Sequence, residues 1–198
     1  MGAFDWFWKA MGSTSERNNK KSKGVVAAAQ GLIEELSLLD DAALASTVRS
    51  TVAGGEIADK ARFLAGLSVA SQRTLGMTPF EVQNQAVLRL LEGDVIQMAT
   101  GEGKTLVGAM AATGYALTGK RVHVITVNNY LAGRDAEWMR PLVEFFGLTV
   151  APVTESSTRA ERVAAYACDV IYAPVTEIGF DHLRDNQILS LIHISEPT

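Results

Sequence analysis

The chain has 198 residues, of which 47% are hydrophobic and 20% charged, close to the composition of an ordinary soluble globular protein. Its one cysteine, Cys168, excludes a disulfide framework and a cysteine-based zinc site, because both need several thiols. The net charge of −4 argues against a general nucleic-acid binder. No run of about 18 apolar residues is present that would form a membrane-spanning helix.

The first 24 residues combine an aromatic cluster with a basic segment. Residues 3–11 are predicted to form a short amphipathic helix, and residues 12–24 a polar, basic linker. Aromatic side chains beside cationic ones are typical of a segment that contacts an anionic membrane surface. Packing of this helix on the protein's own body, or on a partner, is the alternative.

Residues 25–76 are predicted to be helical, because apolar residues recur at helical spacing throughout this segment. Either Asp40 or Asp41 is placed to cap a second helix. A third helix is predicted from Ile57 to Gln72, after a glycine pair that breaks the chain. No group of chemically reactive side chains is evident here, so we expect this segment to be a scaffold.

From Met77 onward, predicted strands alternate with predicted helices. The expected strands are Asp94–Ala99, Arg121–Val127, Leu148–Val153 and Cys168–Pro174. Pro79 is expected in the first turn of one helix, and Pro141 is expected to end one helix and begin another. The last helix is predicted over Thr176–Asn186. This alternation predicts an α/β fold in which helices cover a mostly parallel sheet.

The sequence ATGEGKTL (99–106) lies between a predicted strand and a predicted helix, as a phosphate-binding loop requires. Gly101 and Gly103 permit a tight turn that brings backbone N–H groups close to a polyphosphate. The helix that follows points its positive end at the same anion. Lys104 is placed to reach the β- and γ-phosphates, and the Thr105 hydroxyl to bind Mg²⁺. The first glycine of the strict pattern is absent, so this is the variant found in helicase-type ATPases.

Two glutamines, Gln83 and Gln85, lie near the start of the helix that precedes the loop. Either is a candidate to contact an adenine base, because a carboxamide offers both a donor and an acceptor. Spacing alone does not choose between them. A solvated helix face is the alternative for both.

Four segments, in this order and with these gaps, resemble the SecA preprotein-translocase ATPases. They are MTPFEVQ (77–83), MATGEGKTL (98–106), GKRVHVITVNNYLAGRDAEWM (119–139) and EIGFDHLRDN (177–186). The resemblance covers residues 4–187 and is greatest to the accessory, second SecA of actinobacteria. It implies a partial RecA-like P-loop NTPase lobe preceded by N-terminal helices. Residues 77–187 would then be the first part of nucleotide-binding domain 1.

The resemblance implies that the chain is an N-terminal fragment of a protein-translocating ATPase. Such a motor couples the binding and hydrolysis of ATP, with Mg²⁺, to the export of preproteins through the SecYEG channel. It is cytoplasmic and peripheral on the cytoplasmic face of the membrane, and a homodimeric parent is one option. The N-terminal segment matches the helix that contacts lipid and the channel, and nucleic acid is not an expected partner.

Residue by residue, Gln83 matches the adenine-contacting glutamine of the family. The nucleotide-binding residues implied by the resemblance are Gln83, Thr100, Gly101, Glu102, Gly103, Lys104 and Thr105. Among these, Lys104 is also the implied catalytic residue and Thr105 the implied Mg²⁺ ligand. Arg134 and Asp135 match a segment that would couple the two motor lobes. Asn129 and His182 stand where the family usually has Asp and Tyr.

The acidic motif that a P-loop ATPase needs is not found after Thr105. That motif is an apolar strand ending in Asp-Glu, which holds the Mg²⁺ shell and orients the attacking water. Asp169 precedes its apolar run, and Glu144 lies on a predicted helix. We therefore predict that this chain alone binds nucleotide weakly and does not hydrolyse it. A non-catalytic membrane- or channel-binding module is the alternative, and a nucleic-acid helicase is disfavoured by the acidic balance of residues 25–198.

Residues 188–198 have no counterpart in the SecA pattern. The sequence LSLIHISEPT (189–198) reads like translated adapter DNA from a sequencing library. We expect these residues to be a sequencing or assembly artefact and exclude them from the fold prediction.

Overall fold

Helices precede and then surround a small parallel sheet. The computed structural model describes residues 14–194, and the side chains of residues 20–186. The described helices are α1 (Thr14–Ser37), α2 (Asp41–Ser50), α3 (Lys60–Leu75), α4 (Glu81–Leu91), α5 (Lys104–Leu117), α6 (Asn129–Phe145), α7 (Arg159–Tyr166) and α8 (Val175–Ile194). The described strands are β1 (Val52–Ala53), β2 (Glu56–Ile57), β3 (Val122–Thr126), β4 (Val150–Pro152) and β5 (Val170–Pro174). The helix predicted over residues 3–11 lies outside the described range. No described helix is both long enough and apolar enough to cross a bilayer.

Helix α3 lies at the centre of the N-terminal half, where every residue from Phe63 to Ser71 is buried. Helices α1 and α2 both pack against it, and the three share one hydrophobic core. Helix α2 comes closest at Gly66, where a β-carbon would lie only 2.2 Å from Cγ2 of Val48. Glycine at this position therefore permits the short distance between α2 and α3.

Helix α1 begins at Thr14 and includes most of the residues predicted to form a linker. The linker prediction for residues 12–24 is therefore wrong from Thr14 onward. Lys, Arg and Glu side chains lose little rotamer freedom in a helix, so a charged stretch can be a good helix. The polarity of this stretch reflects exposure to water, since Lys20, Lys21 and Lys23 are all exposed.

A two-stranded antiparallel hairpin, β1–β2, separates α2 from α3. Gly54 and Gly55 form its turn with φ values of 60° and 79°, a conformation that strains residues with a side chain. Ile57 pairs with Val52 in this hairpin. Because Ile57 belongs to the hairpin, α3 begins at Lys60 rather than at Ile57 as predicted.

The principal sheet is parallel, with the strand order β3-β5-β4. Strand β5 is central, and all its residues are buried. Helices α5 and α6 cover the face that carries Val170 and Tyr172, while α7 and α8 cover the face that carries Ile171 and Ala173. A parallel sheet between two helical layers confirms the predicted α/β, partial RecA-like fold. The three strands lie within the ranges predicted for them.

Residues 94–99, which were predicted to be a strand, belong to no helix and pair with no described strand. Their exposure alternates as in a strand: Ile96 and Met98 pack on the core, whereas Val95 is 99% exposed. The strand prediction is wrong because alternating hydrophobicity reports an extended backbone with one buried face. The hydrogen-bonded neighbour that defines a sheet is a separate, long-range requirement.

Several helix ends differ from the prediction or decide between alternatives. Asp40, not Asp41, caps α2 by accepting a hydrogen bond from the backbone of Ala43. Pro79 lies before the first turn of α4, because that helix begins after Phe80. Pro141 lies inside α6 and does not divide it. A proline inside a helix costs about 3 kcal/mol, and the buried residues on both sides of Pro141 offset this cost.

Helix α8 is longer than predicted and continues from Val175 to Ile194. It therefore runs through part of the segment 188–198 that was excluded from the prediction. The stretch ILSLIHI (188–194) contains no glycine or proline to end a helix.

Candidate functional site

The glycine-rich loop joins segment 94–99 to helix α5. Gly101 and Gly103 have φ values of 88° and 75°, which glycine adopts without the strain that a side chain would cause. Gly103 is the N-terminal cap residue of α5. The first backbone N–H groups of α5 have no partner within the helix, so they form a positive pole at the loop. This pole is an anion-binding element of the kind that holds phosphates.

Two charged side chains of the loop bind the backbone of the same residue, Ala99. The Nζ atom of Lys104 donates to the carbonyl oxygen of Ala99 at 2.6 Å. The backbone N–H of Ala99 donates to Oε2 of Glu102 at 2.5 Å. Both Lys104 and Glu102 are exposed, so the lysine is free to turn toward a ligand.

Gln83 connects helix α4 to the loop. Its Oε1 atom accepts a hydrogen bond from the backbone of Phe80 at 2.8 Å. Its Nε2 atom donates to the carbonyl oxygen of Glu102 at 2.9 Å. The residue is only 6% exposed. Of the two candidate glutamines, Gln83 is therefore the one hydrogen-bonded to the phosphate loop, and Gln85 is half-buried elsewhere on α4.

The remaining predicted site residues lie along the turn and the first turn of α5. Thr100 and Gly101 are exposed, whereas Gly103 and Thr105 are half-buried. The structure thus brings all the predicted loop residues and Gln83 into one continuous element. It can offer a ligand backbone N–H groups, one ammonium, one carboxamide, one carboxylate and two hydroxyls. In the part of the chain that the structure describes, no group of three His, Cys, Asp or Glu side chains is arranged to hold a metal ion.

A network of charges fixes the segment that enters the loop. Lys60 donates to Oε1 of Glu92 at 2.5 Å, and Arg89 binds the other oxygen of Glu92 at 2.5 Å. Arg89 also contacts the carboxylate of Asp94, the first residue of segment 94–99. The hydrogen bond from Lys60 is the main reason that the pKa of Glu92 is lowered, although burial opposes it. The network therefore ties α3 and α4 to the backbone that leads to Ala99.

Arg134 and Asp135, predicted to couple motor lobes, lie on α6 and bind each other. The Nε and Nη2 atoms of Arg134 donate to Oδ1 of Asp135 at 2.8 and 2.6 Å. Arg134 also lies over the ring of Tyr130, at 5.9 Å. Asp135 is 9% exposed. Burial raises the pKa of Tyr172, and the charge of Asp135 raises it further. These contacts join the pair to α6 and β5, not to the phosphate loop.

Two positions at which the sequence departs from the SecA pattern, Asn129 and His182, have local contacts. Asn129 Oδ1 accepts a hydrogen bond from the backbone of Glu155 at 3.0 Å, which links α6 to the loop after β4. An aspartate would accept the same bond. His182 is exposed, and its Nε2 atom is 3.0 Å from Nδ2 of Asn186.

Sequence reasoning missed a buried cluster centred on Arg162 of α7. The guanidinium donates to Glu177 at 2.6 Å and to Asp181 at 2.8 Å, and both carboxylates lie on α8. It also binds the carbonyl oxygens of Ser157 and Thr154. An arginine that lies on a helix after a Ser/Thr turn gives no local signal, because its partners are 15 and 19 residues away.

Comparison with known proteins identifies the family. The model of the SecA DEAD-like domain matches residues 7–193, which extends beyond the expected limit at residue 187. SecA 2 of Corynebacterium glutamicum (strain R) is 62% identical over 188 residues, which are 95% of this chain and 25% of the relative. SecA 2 of Corynebacterium diphtheriae is 56% identical over 98% of this chain, and SecA 2 of Mycolicibacterium smegmatis is 50% identical over 96%. The names of these relatives agree with the expected second SecA.

The matches cover most of this chain but only a small part of each relative. The chain spans about a quarter of the length of the curated relatives that it matches. The family model, by contrast, covers nearly the whole of this chain. The chain therefore belongs to the SecA family, and residues 7–193 match its DEAD-like domain.

Proposed function

We propose that this chain is the N-terminal, nucleotide-binding part of a SecA-type protein translocase, and that it binds ATP or ADP at the loop of residues 99–105. The single observation that carries the proposal is the joining of Gln83 to the loop through the carbonyl of Glu102, at 2.9 Å. This bond supports the proposal, because it joins a carboxamide suited to an adenine edge to a turn suited to phosphates. Two parts of one nucleotide would therefore be recognised by one connected element.

Each side chain has a distinct task in this proposal. Lys104 leaves the carbonyl of Ala99 and donates to the β- and γ-phosphates, while the N–H groups at the start of α5 bind the same anion. The second N–H of Gln83 and the free lone pair of its oxygen contact the adenine edge. Thr105 offers its hydroxyl to Mg²⁺, and this single donor fits an ion that takes its other ligands from phosphate and water. Mg²⁺ would neutralise phosphate charge.

The activity of the whole protein is proposed from the family. The relatives are named protein translocase subunits. We infer that the intact protein is an ATPase that moves preproteins through the SecYEG channel from the cytoplasmic face of the membrane. By itself, the present chain is expected to bind nucleotide without turning it over, because no apolar strand after Thr105 ends in Asp-Glu. Within the chain, segment 25–76 supports residues 77–187, and segment 1–24 contacts partners.

A titration calorimetry experiment tests nucleotide binding. The 198-residue chain is titrated with Mg-ADP, beside the variant Lys104→Ala and the control Lys120→Ala. Lys120 is exposed and lies over the ring of Tyr115 at 5.2 Å, away from the loop. We expect Lys104→Ala to weaken binding about 10- to 100-fold, the worth of a hydrogen bond to a charged group. Equal affinity of Lys104→Ala and the parent chain would contradict the proposed site.

A second candidate function, membrane contact, rests on the basic end of α1. Lys20, Lys21 and Lys23 are exposed on this helix, and the aromatic residues of segment 1–24 precede them in the sequence. Each basic residue near an anionic surface contributes about 1 kcal/mol. The triple variant K20Q/K21Q/K23Q should therefore co-sediment much less with anionic vesicles, whereas Lys120→Gln should behave like the parent. Equal sedimentation of the triple variant and the parent would remove this role.

A further inference from the structure

Glu102 is the one carboxylate in the loop sequence ATGEGKTL. Its Oε2 atom accepts the backbone N–H of Ala99 at 2.5 Å, while Lys104 donates to the carbonyl oxygen of the same residue at 2.6 Å. Two oppositely charged side chains thus hold both polar backbone groups of Ala99. The carbonyl oxygen of Glu102 is bound in turn by Gln83. Glu102 is therefore held in the loop by two contacts, one through its side-chain carboxylate and one through its backbone carbonyl.

We propose that Glu102 is a positioning residue that holds the loop through the backbone of Ala99 and keeps the affinity of the loop for phosphates low. The inference rests on the proposed nucleotide site and deepens it. Phosphates bound at the start of α5 bring several negative charges beside the carboxylate. Like charges that lie close together repel each other. Glu102 therefore favours the release of nucleotide, whereas Lys104 and the N–H groups at the start of α5 favour its binding.

The departure of Lys104 increases this effect. To reach a phosphate, Lys104 has to leave the carbonyl of Ala99. The bond from Ala99 to Glu102 does not involve Lys104, so it persists and keeps the carboxylate in place. The negative charge of Glu102 then faces the ligand, while the lysine that shared its backbone partner has turned to the phosphates.

Two substitutions separate the charge of Glu102 from its hydrogen bond. In Glu102→Gln, the amide oxygen can still accept the N–H of Ala99, but the negative charge is gone. In Glu102→Ala, both the bond and the charge are lost. Glu56→Gln is the matched control, because Glu56 is an exposed acid on the β1–β2 hairpin and the substitution changes the net charge by the same amount.

The test is a calorimetric titration of the full chain and its variants with Mg-ADP and with adenosine, at low and high salt. We expect Glu102→Gln to bind ADP about three- to tenfold more tightly than the parent, with a smaller gain at high salt because salt screens exposed charges. Adenosine carries no phosphate, so its affinity should not change. Glu102→Ala should gain less than Glu102→Gln, because the loop also loses an anchor. Glu56→Gln should match the parent.

The outcomes distinguish this inference from the proposed function. If the parent binds ADP and Glu102→Gln binds it no more tightly, the inference about Glu102 is wrong and the nucleotide site stands. If Glu102→Gln tightens adenosine as much as ADP, repulsion of phosphates is not the cause, and the inference is again overturned. If the parent binds no ADP at all, both the inference and the proposed function fail.

Discussion

A β-carbon on Gly103 would lie 2.3 Å from the Nε2 atom of Gln83. The same carboxamide nitrogen donates to the carbonyl oxygen of Glu102. The glycine therefore has two purposes: it permits a φ of 75° and it leaves room for the glutamine. The start of α5 and the start of α4 can approach each other only if residue 103 has no side chain.

Gly103→Ala should accordingly weaken Mg-ADP binding about tenfold or more, by strain at positive φ and by displacement of Gln83. Gly101→Ala is the matched variant, because Gly101 also has a positive φ, of 88°, but no atom lies within 4 Å of its β-carbon position. Both variants pay about 1–2 kcal/mol for the backbone conformation. The difference between their affinities, measured by calorimetry, reports the clash with Gln83. If the two variants are equally affected, the contact with Gln83 is unimportant.

Gly66→Ala should destabilise the helical half of the protein. The added β-carbon would lie 2.2 Å from Cγ2 of Val48, and overpacking of this kind costs about 1–3 kcal/mol. Gly108→Ala is the control, because it is also a helical glycine but has open space around its β-carbon, so it should stabilise by about 0.5–1 kcal/mol. Urea denaturation measures both. The double variant V48A/G66A should recover much of the loss, and no recovery would show that this contact does not limit α2–α3 packing.

Arg162→Met should be strongly destabilising, because it leaves the carboxylates of Glu177 and Asp181 without their cation. The side chains of Arg162 and Glu177 are only 13% and 9% exposed, and breaking a buried pair costs about 3–5 kcal/mol. Arg159→Met, an exposed arginine on the same helix, should change the free energy of unfolding by less than about 0.5 kcal/mol. A loss for Arg162→Met as small as that for Arg159→Met would mean that α7 and α8 do not depend on this cluster.

Asp181 should make the stability of the chain sensitive to acid. Burial alone would raise the pKa of Asp181, but hydrogen bonds from Tyr166 and Arg162 outweigh it and hold the pKa below its usual range. A carboxyl with a lowered pKa in the folded state contributes stability above its unfolded pKa, about 3.9, and loses it as the pH falls through the folded pKa. Between pH 5 and about pH 3, the parent should therefore lose more stability than Asp181→Asn does. Parallel pH profiles from urea denaturation would contradict this assignment.

Tyr172→Phe should leave stability unchanged or raise it by up to about 1 kcal/mol. The hydroxyl of Tyr172 is buried and has no hydrogen-bond partner among the described residues. Removing it therefore removes the free-energy cost of burying a polar group without a hydrogen bond. Tyr115→Phe is the comparison variant, because the hydroxyl of Tyr115 does have a partner: it donates to the carbonyl oxygen of Leu90. That variant should lose about 1 kcal/mol. Thermal unfolding of the two variants measures the difference, and a clear loss for Tyr172→Phe would show that its hydroxyl has a stabilising partner.

The parallel sheet was predictable because its strands are short β-branched runs between helices, and periodicity reports such elements locally. The glycine-rich turn before α5 was predictable for the same reason, since its glycines are close together in sequence. That residues 94–99 pair with no described strand was not predictable, because a ladder depends on which strands become neighbours in space. The helix break predicted at Pro141 was wrong for a related reason. The buried contacts that stabilise α6 around this proline come from other parts of the chain.

The site shows the same division between local and long-range information. The loop residues could be named from the motif, whereas spacing alone did not choose between Gln83 and Gln85. The resemblance chose Gln83, and the structure adds its bond to Glu102, 19 residues away. The bond between Ala99 and Glu102 is local, but many loop conformations were compatible with the sequence. The Arg162 cluster was invisible because each of its charges, taken alone, resembles an ordinary solvated residue.

Helix α1 runs without interruption from Thr14 to Ser37, and its second half is packed into the core. Its basic first half is therefore not a tether but a continuation of the same helix, about 15 Å long at 1.5 Å for each residue, and Ser22 within it is buried. A flexible tether would let Lys20, Lys21 and Lys23 point in any direction, whereas the helix fixes their direction relative to the core. A force applied at the lysines would be carried along the helix axis to α3, so anything bound at this end would be held in a fixed orientation relative to the helical core.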